Sequence, residues 1–184
     1  KLVGADGSLL DFEQAKSHKV VVRSTDLFGN AIDETIKIKV KDIGKENVIG
    51  NDGDNRLVGG AGKDRFDGKG GNDILTGGNG ADKFLFTSTL DAETNVDHIT
   101  DFKPRTDQRL GRDVFEGLAK GALSSDAFHL GATAEDESDR ILYDAATGTL
   151  YFDRDGANAD FDPIALQSSD NHPAKLGAGD FFIS

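Results

Sequence analysis

A nine-residue unit recurs four times without interruption between positions 50 and 85. Residues 50–58 read GNDGDNRLV, 59–67 GGAGKDRFD, 68–76 GKGGNDILT and 77–85 GGNGADKFL. Each unit has Gly at its first and fourth positions and a large apolar residue (Leu57, Phe66, Leu75, Phe84) at its eighth. Position six is Asn55, Asp64, Asp73 and Asp82 in turn. The preceding nine residues, KDIGKENVI, keep the register more weakly, with Gly44 fourth, Glu46 sixth and Val48 eighth. A fixed period of this kind marks a solenoid, in which each unit buries its apolar side chain only by stacking on its neighbours. A flexible Gly-rich linker has no use for a large apolar side chain at every ninth residue.

The spacing predicts a definite backbone. Six residues make a tight turn with inward carbonyl oxygens, and glycine accepts the positive φ angles that such a turn needs. The last three residues form a short strand whose eighth-position side chain points inward. Two units complete one coil, so units i and i+2 stack on the same side. Stacked turns then enclose a slot ringed by carbonyls and two acidic side chains, an oxygen-rich cage suited to Ca²⁺ with its 6–8 ligands. Carboxylates held together this way repel one another, so folding is expected to be linked to ion binding.

The unit resembles the calcium-binding nonapeptide of the RTX (repeats-in-toxin), hemolysin-type family. That resemblance implies an all-β fold: a calcium-binding parallel β-roll over 44–85 with an antiparallel β C-terminal cap over 86–184. It also implies a ligand set. Carbonyls at positions two and four and the sixth-position acid of one turn face carbonyls at positions one and three and the acid two units later. One site then uses Asn51, Gly53 and Asn55 with Gly68, Gly70 and Asp73. A second, on the opposite side, uses Gly60, Gly62 and Asp64 with Gly77, Asn79 and Asp82. A weaker third uses Asp42, Gly44 and Glu46 with Gly59, Ala61 and Asp64. Asn55 removes a charge from the first site, and Glu46 departs from the pattern in length. Counting slots with enough oxygens gives about two to five ions.

The stretch 97–108, DHITDFKPRTDQ, resembles the D-x-I-x-D-F segment that follows the last repeat in this family. The resemblance implies that Ile99 and Phe102 cap the core while Asp97 and Asp101 complete sites at the open end of the roll. The family's D-K-I-D-L is replaced by Asp107, Gln108, Arg109 and Leu110, which leaves a ligand role for Asp107 unsupported. Residues 113–121 are expected to form a short helix. RILYDAATGTLYFD (140–153) reads as a β-hairpin turning at Thr147 and Gly148, and DRDGANAD (153–160) as a second turn. Strands around Ile164–Leu166 and Phe181–Ile183 complete the cap, which is similar to the C-terminal ends of serralysin-type RTX proteins. The final DFFIS, acidic then apolar, resembles the uncleaved signal read by type I secretion machinery.

Residues 1–43 have another texture. KVVVRSTD and ETIKIKVKD are expected strands, the second with period-two alternation, joined by a turn at DLFGNAID. This segment resembles the closing strands of a bacterial cadherin-like repeat, in which Glu13 and Asp26 would correspond to calcium ligands, although only part of such a sandwich is represented.

Charge and composition narrow the function. The net charge of −12 repels nucleic acid and anionic membranes. Cys is absent, so neither disulfides nor thiolate metal sites hold the chain. No stretch has the ~20 apolar residues of a membrane span, and no N-terminal signal peptide is recognisable. Met is absent too, so a longer protein is expected. The histidines His18, His98, His129 and His172 show no H-E-x-x-H spacing, and no G-x-S-x-G occurs, so no catalytic site is expected. The expected function is a secreted calcium-binding module that folds on Ca²⁺ and supports type I export. The alternatives are an adhesive module contacting a cell surface or extracellular polysaccharide, and the tail of an exported hydrolase.

Overall fold

In a computed structural model of the protein, the described residues are 12, 15–42, 44–104, 108–111, 114–158, 160 and 162–184, with Gln108 and Arg109 described in backbone only. They divide into two compact units, Lys1–Ile43 and Gly44–Ser184. Glu13 and Asp107, considered above as ligands, lie outside the described residues, as does Asp113 at the start of the expected helix.

In the first unit, β1 (Ser17–Thr25) and β2 (Ala31–Lys39) pair antiparallel along their whole length, from Ser17 opposite Lys39 to Thr25 opposite Ala31. Asp26 builds the turn. Its carboxylate accepts the amides of Phe28 and Asn30 at 2.9 Å each and the Asn30 side chain at 2.8 Å. Those hydrogen bonds, the Asn30 side chain foremost, hold its pKa below the ordinary carboxylate value.

The second unit begins with the predicted roll. Strands β3 (Asn47–Ile49), β4 (Arg56–Val58), β6 (Arg65–Asp67), β7 (Ile74–Thr76) and β9 (Lys83–Phe86) occupy the last third of each repeat. Pairing is parallel at an offset of two repeats: Val48 beside Phe66, Phe66 beside Phe84, and Leu57 beside Leu75. Alternate repeats therefore build opposite sheets, and the eighth-position side chains meet between them. Phe66, Leu75 and Phe84 are buried, and the rings of Phe66 and Phe84 stack at 5.1 Å. Val48 and Leu57, on the first coil, are only partly buried and pack against this core.

The roll does not stop at the last nonapeptide. β10 (Asp97–Ile99) continues one sheet, with Ile99 beside Leu75, and β11 (Gln108–Leu110) continues the other, with Leu110 beside Phe86. The offset is now 24 residues instead of 18 because a longer loop precedes β10. Asp97 and Ile99 thus take the sixth and eighth places of one more coil, with a turn that no longer reads as a repeat.

The cap grows from these strands. β14 (Ile141–Asp144), β15 (Thr149–Phe152) and β16 (Ile164–Ser169) form an antiparallel meander, and β12 (Gly121–Ala122) pairs antiparallel with β17 (Phe181–Ile183). β16 and β17 join the roll through parallel pairs with β10 and β11, and β13 (Phe128–Leu130) lies parallel to β14. One hydrophobic core runs from Phe66 through Phe102 and Phe115 to Ile183. Residues 114–120 are turns rather than the expected helix. Gly117 has φ +85°, which lies outside the right-handed helical region.

Candidate calcium sites in the stacked turns

Every sixth-position carboxylate faces inward and spans two turns. Asp64 Oδ1 accepts the Glu46 amide at 2.8 Å, and Asp73 Oδ1 the Asn55 amide at 2.8 Å. Asp82 Oδ1 accepts the Asp64 amide at 3.1 Å, and Asp97 Oδ1 the Asp73 amide at 3.3 Å. One oxygen of each acid is thereby tied to the sixth residue of the coil beneath it.

The other oxygen lies over the first residue of the same repeat, which explains the glycine there. A Cβ at Gly59 would sit 2.7 Å from Asp64 Oδ2, and one at Gly77 2.6 Å from Asp82 Oδ2. Gly68 is closer still to Asp73 Oδ2, and Gly50 to Asn55 Oδ1. The fourth-position glycines have a different reason. Gly62 (φ +144°) packs on Gly44, Gly80 (φ +134°) on Gly62, and Gly71 on Gly53, each against the backbone two repeats earlier.

These turns bring the predicted ligands together. On one side, Asn51, Gly53 and Asn55 lie under Gly68, Gly70 and Asp73. Here side chains join the coils: besides the Asn55–Asp73 bond, Asp54 Oδ1 accepts the Asn72 amide at 2.8 Å. Asn55 Oδ1 also accepts the Asn51 amide at 2.7 Å, so its uncharged amide serves its own turn. On the other side, Gly60, Gly62 and Asp64 lie under Gly77, Asn79 and Asp82. The turns there are zipped by the two-residue strands β5 (Ala61–Gly62) and β8 (Asn79–Gly80), with Gly60 O accepting the Asn79 amide at 2.8 Å. Of the third set, the members within the second unit stack on one another: Gly44 O accepts the Lys63 amide at 3.1 Å, and Asp64 Oδ1 accepts the Glu46 amide at 2.8 Å. Asp42 Oδ1 is buried with no hydrogen-bond partner.

At the far end, Asp97 and Asp101 have separate surroundings. Asp97 is buried over Asp73. Asp101 accepts the amides of Gly77 at 2.8 Å and Gly78 at 2.7 Å, closing the last turn, and the Lys103 ammonium donates to Gly78 O.

The electrostatics of the ladder call for a cation. Asp64, Asp73, Asp82 and Asp97 are all buried, and burying an ionised carboxylate is costly unless it is compensated. Among the described residues no Lys or Arg ion pair reaches Asp73, Asp82 or Asp97. Asp73 Oδ2 is buried with no hydrogen-bond partner. Burial, followed by the neighbouring charges of Asp73 and Asp67, pushes the Asp97 carboxyl up to about 7, and burial also raises Asp73. Yet among the described residues no three His, Cys, Asp or Glu side chains gather into a metal cluster. Backbone carbonyls must supply most of the donors, which selects a hard, oxygen-seeking ion with a high coordination number. The residues present fit Ca²⁺.

The structure therefore defines a calcium-binding β-roll. Residues 48–84 match the RTX calcium-binding nonapeptide repeat in 4 copies, so the chain carries RTX calcium-binding repeats with Ca²⁺ as their ion. A similar solved structure is the solution structure of the AlgE6R3 subunit from the Azotobacter vinelandii mannuronan C5-epimerase. It is 25% identical over 74% of this chain and 77% of that one, with a TM-score of 0.39. No curated protein matches the chain.

A second cluster of polar side chains was not legible in the sequence. His98 Nδ1 lies 2.8 Å from Ser168 Oγ, and His98 Nε2 lies 2.8 Å from Asp170 Oδ1. The order resembles a nucleophile, base and orienting acid. The nearby amides of Ser169 and Asp170 are committed to Gly148 O and Ile99 O, leaving them unable to serve as oxyanion donors. This cluster instead pins β16 of the cap to β10 of the roll. Ser168 and Asp170 stand some 70 residues from His98, so spacing gave no signal. Residues 153–158 form a turn, with Asp153 Oδ1 accepting the Asp155 amide at 3.1 Å and the Gly156 amide at 2.9 Å.

Proposed function

We propose that this chain is a calcium-triggered folding module that supports type I secretion of a larger extracellular protein. The observation that carries the reading is the ladder of buried sixth-position carboxylates. When bound, Ca²⁺ supplies the positive charge that lets these groups stay ionised inside the roll. Asp64, Asp73, Asp82 and Asp97 hold adjacent coils in register through their Oδ1 atoms, while the turn carbonyls of the two main sets complete the cages. In calcium-poor cytoplasm the same groups repel, which keeps the chain extended for export; external calcium then favours the folded state. RTX repeats are generally non-catalytic, and the role proposed is binding and folding. The three-part organisation, with a cadherin-like piece at 1–43, the roll at 44–85 and the cap at 86–184, belongs to the same proposal.

The deciding experiment is far-UV circular dichroism of the chelated chain titrated with Ca²⁺ and, separately, Mg²⁺. A cooperative gain of β signal with Ca²⁺ alone is expected. A chain fully folded in chelator would sink the folding switch.

The tail adds a specific support for the export reading. Phe181 and Ile183 are buried in the core, whereas Phe182 is 39% exposed. A signal within 180–184 is accessible only before folding, as the export model requires. Removing these residues should stop export from cells carrying the type I machinery; undiminished export would remove the signal assignment.

A further inference from the structure

One face of the roll carries charge of the wrong sign for this protein. Parallel pairing sets Arg65 directly beside Lys83, with Asn47 on the strand before them. These are seventh positions, whose side chains point away from the core that the eighth positions fill. Two residues earlier, in the turns, Lys45 and Lys63 stand one coil apart on the same side. All four cations line one groove of about 590 Å³, together with Asn47 and Leu85. Buried Asp64 also lines it, with one oxygen committed to the Glu46 amide, as does Ser184.

Like charges on adjacent strands destabilise a sheet. Among the described residues none of the four makes an ion pair, although the chain has 33 acidic residues and a net charge of −12. A local rule broken without compensation within the molecule points to compensation from outside it. The cations climb the roll in steps of one strand spacing, about 4.8 Å, which is comparable to one ring of an extended sugar polymer. Among the described residues no aromatic side chain lines the groove, so stacked nucleobases find no platform. The overall negative charge also opposes a duplex or an anionic bilayer. A thread-like acidic polysaccharide touches only the stripe. Its carboxylates or sulfates face the cations, while the exposed Asn47 amide is available for hydroxyls.

We propose that the groove formed by Lys45, Lys63, Arg65 and Lys83 binds a linear acidic polysaccharide. The inference rests on the calcium-folded roll, because the four side chains converge only when alternate repeats stack.

The test uses the full chain, with Ca²⁺ in excess over added carboxylate. It is titrated calorimetrically with size-defined polygalacturonate oligomers, sulfated dextran and neutral dextran. We expect one or both acidic polymers to bind, with affinity falling as salt rises, and neutral dextran not to bind. Binding by one acidic polymer alone identifies the anionic group preferred. The double variant K63E/R65E should weaken binding at least tenfold, while K120E, outside the groove, should leave it unchanged. If the double variant loses its calcium-induced circular dichroism signal, K45E in the exposed turn serves in its place. The proposal is overturned if neither acidic polymer binds, if the groove variants bind as tightly as the parent, or if duplex DNA or anionic vesicles bind equally well. Failure of the calcium reading itself registers separately, as loss of the dichroism change in the parent chain.

Discussion

Glycine answers two separate needs within a single nonapeptide. At position one it clears space for the carboxylate of position six, and at position four it lets one turn lie on the backbone of the turn two repeats before. The two needs are separable by mutation. Gly68→Ala places a methyl group against the buried Asp73 carboxylate, and we expect a loss of about 1–3 kcal/mol in calcium-loaded denaturant melts. Gly53→Ala meets only Asn51 Oδ1 at 3.4 Å and has no positive φ, so the same melts should move far less. Asn55 offers a test in the opposite direction. Asn55→Asp restores a charge to the first site and should tighten one calcium-binding event by about tenfold, equivalent to about 1.4 kcal/mol, in a calorimetric titration. The fold joins the sixth-position residues across two coils, Asn55 to Asp73 and Asp64 to Asp82. What no single repeat reveals is that the two sides differ: β5 and β8 zip one stack of turns, while the Asp54 side chain links the other. That difference depends on backbone placement, not on residue type.

Among the elements, the strands of the roll were legible because an apolar residue every ninth position leaves little choice of register. The eighth-position stack should therefore dominate stability. Phe66→Ala removes a fully buried ring from its stack on Phe84 and should cost about 3–5 kcal/mol. Val48→Ala, at the half-covered first coil, should cost less than about 1.5 kcal/mol. β10 was harder to read as part of the roll: DHI keeps the sixth and eighth places, but the longer loop before it hides the period. The expected helix at 113–121 failed at Gly117, whose left-handed conformation turns the chain toward β12. The cationic stripe was written in the sequence at an 18-residue spacing, yet it becomes a surface only once alternate repeats are stacked.

At the scale of the whole molecule, stability and ion concentration are one variable. Each site filled at 100 times its dissociation constant adds about 2.7 kcal/mol to the folded state. Two such sites match a large part of the 5–15 kcal/mol that holds an ordinary domain. Chelation should accordingly abolish the thermal transition of the second unit or lower its midpoint steeply, and Ca²⁺ but not Mg²⁺ should restore it in a calorimetric scan. The first unit has its own hairpin, closed by Asp26. Removing residues 1–43 should leave the calcium-loaded midpoint of the remainder unchanged if the two fold separately. Finally, β17 lies between β11 and β12, and Ile183 is fully buried, although every strand around it comes earlier in the chain. A sheet whose middle member is synthesised after its neighbours cannot close until that member has been made. Synthesis order alone delays assembly of the cap until residues 181–183 have left the ribosome.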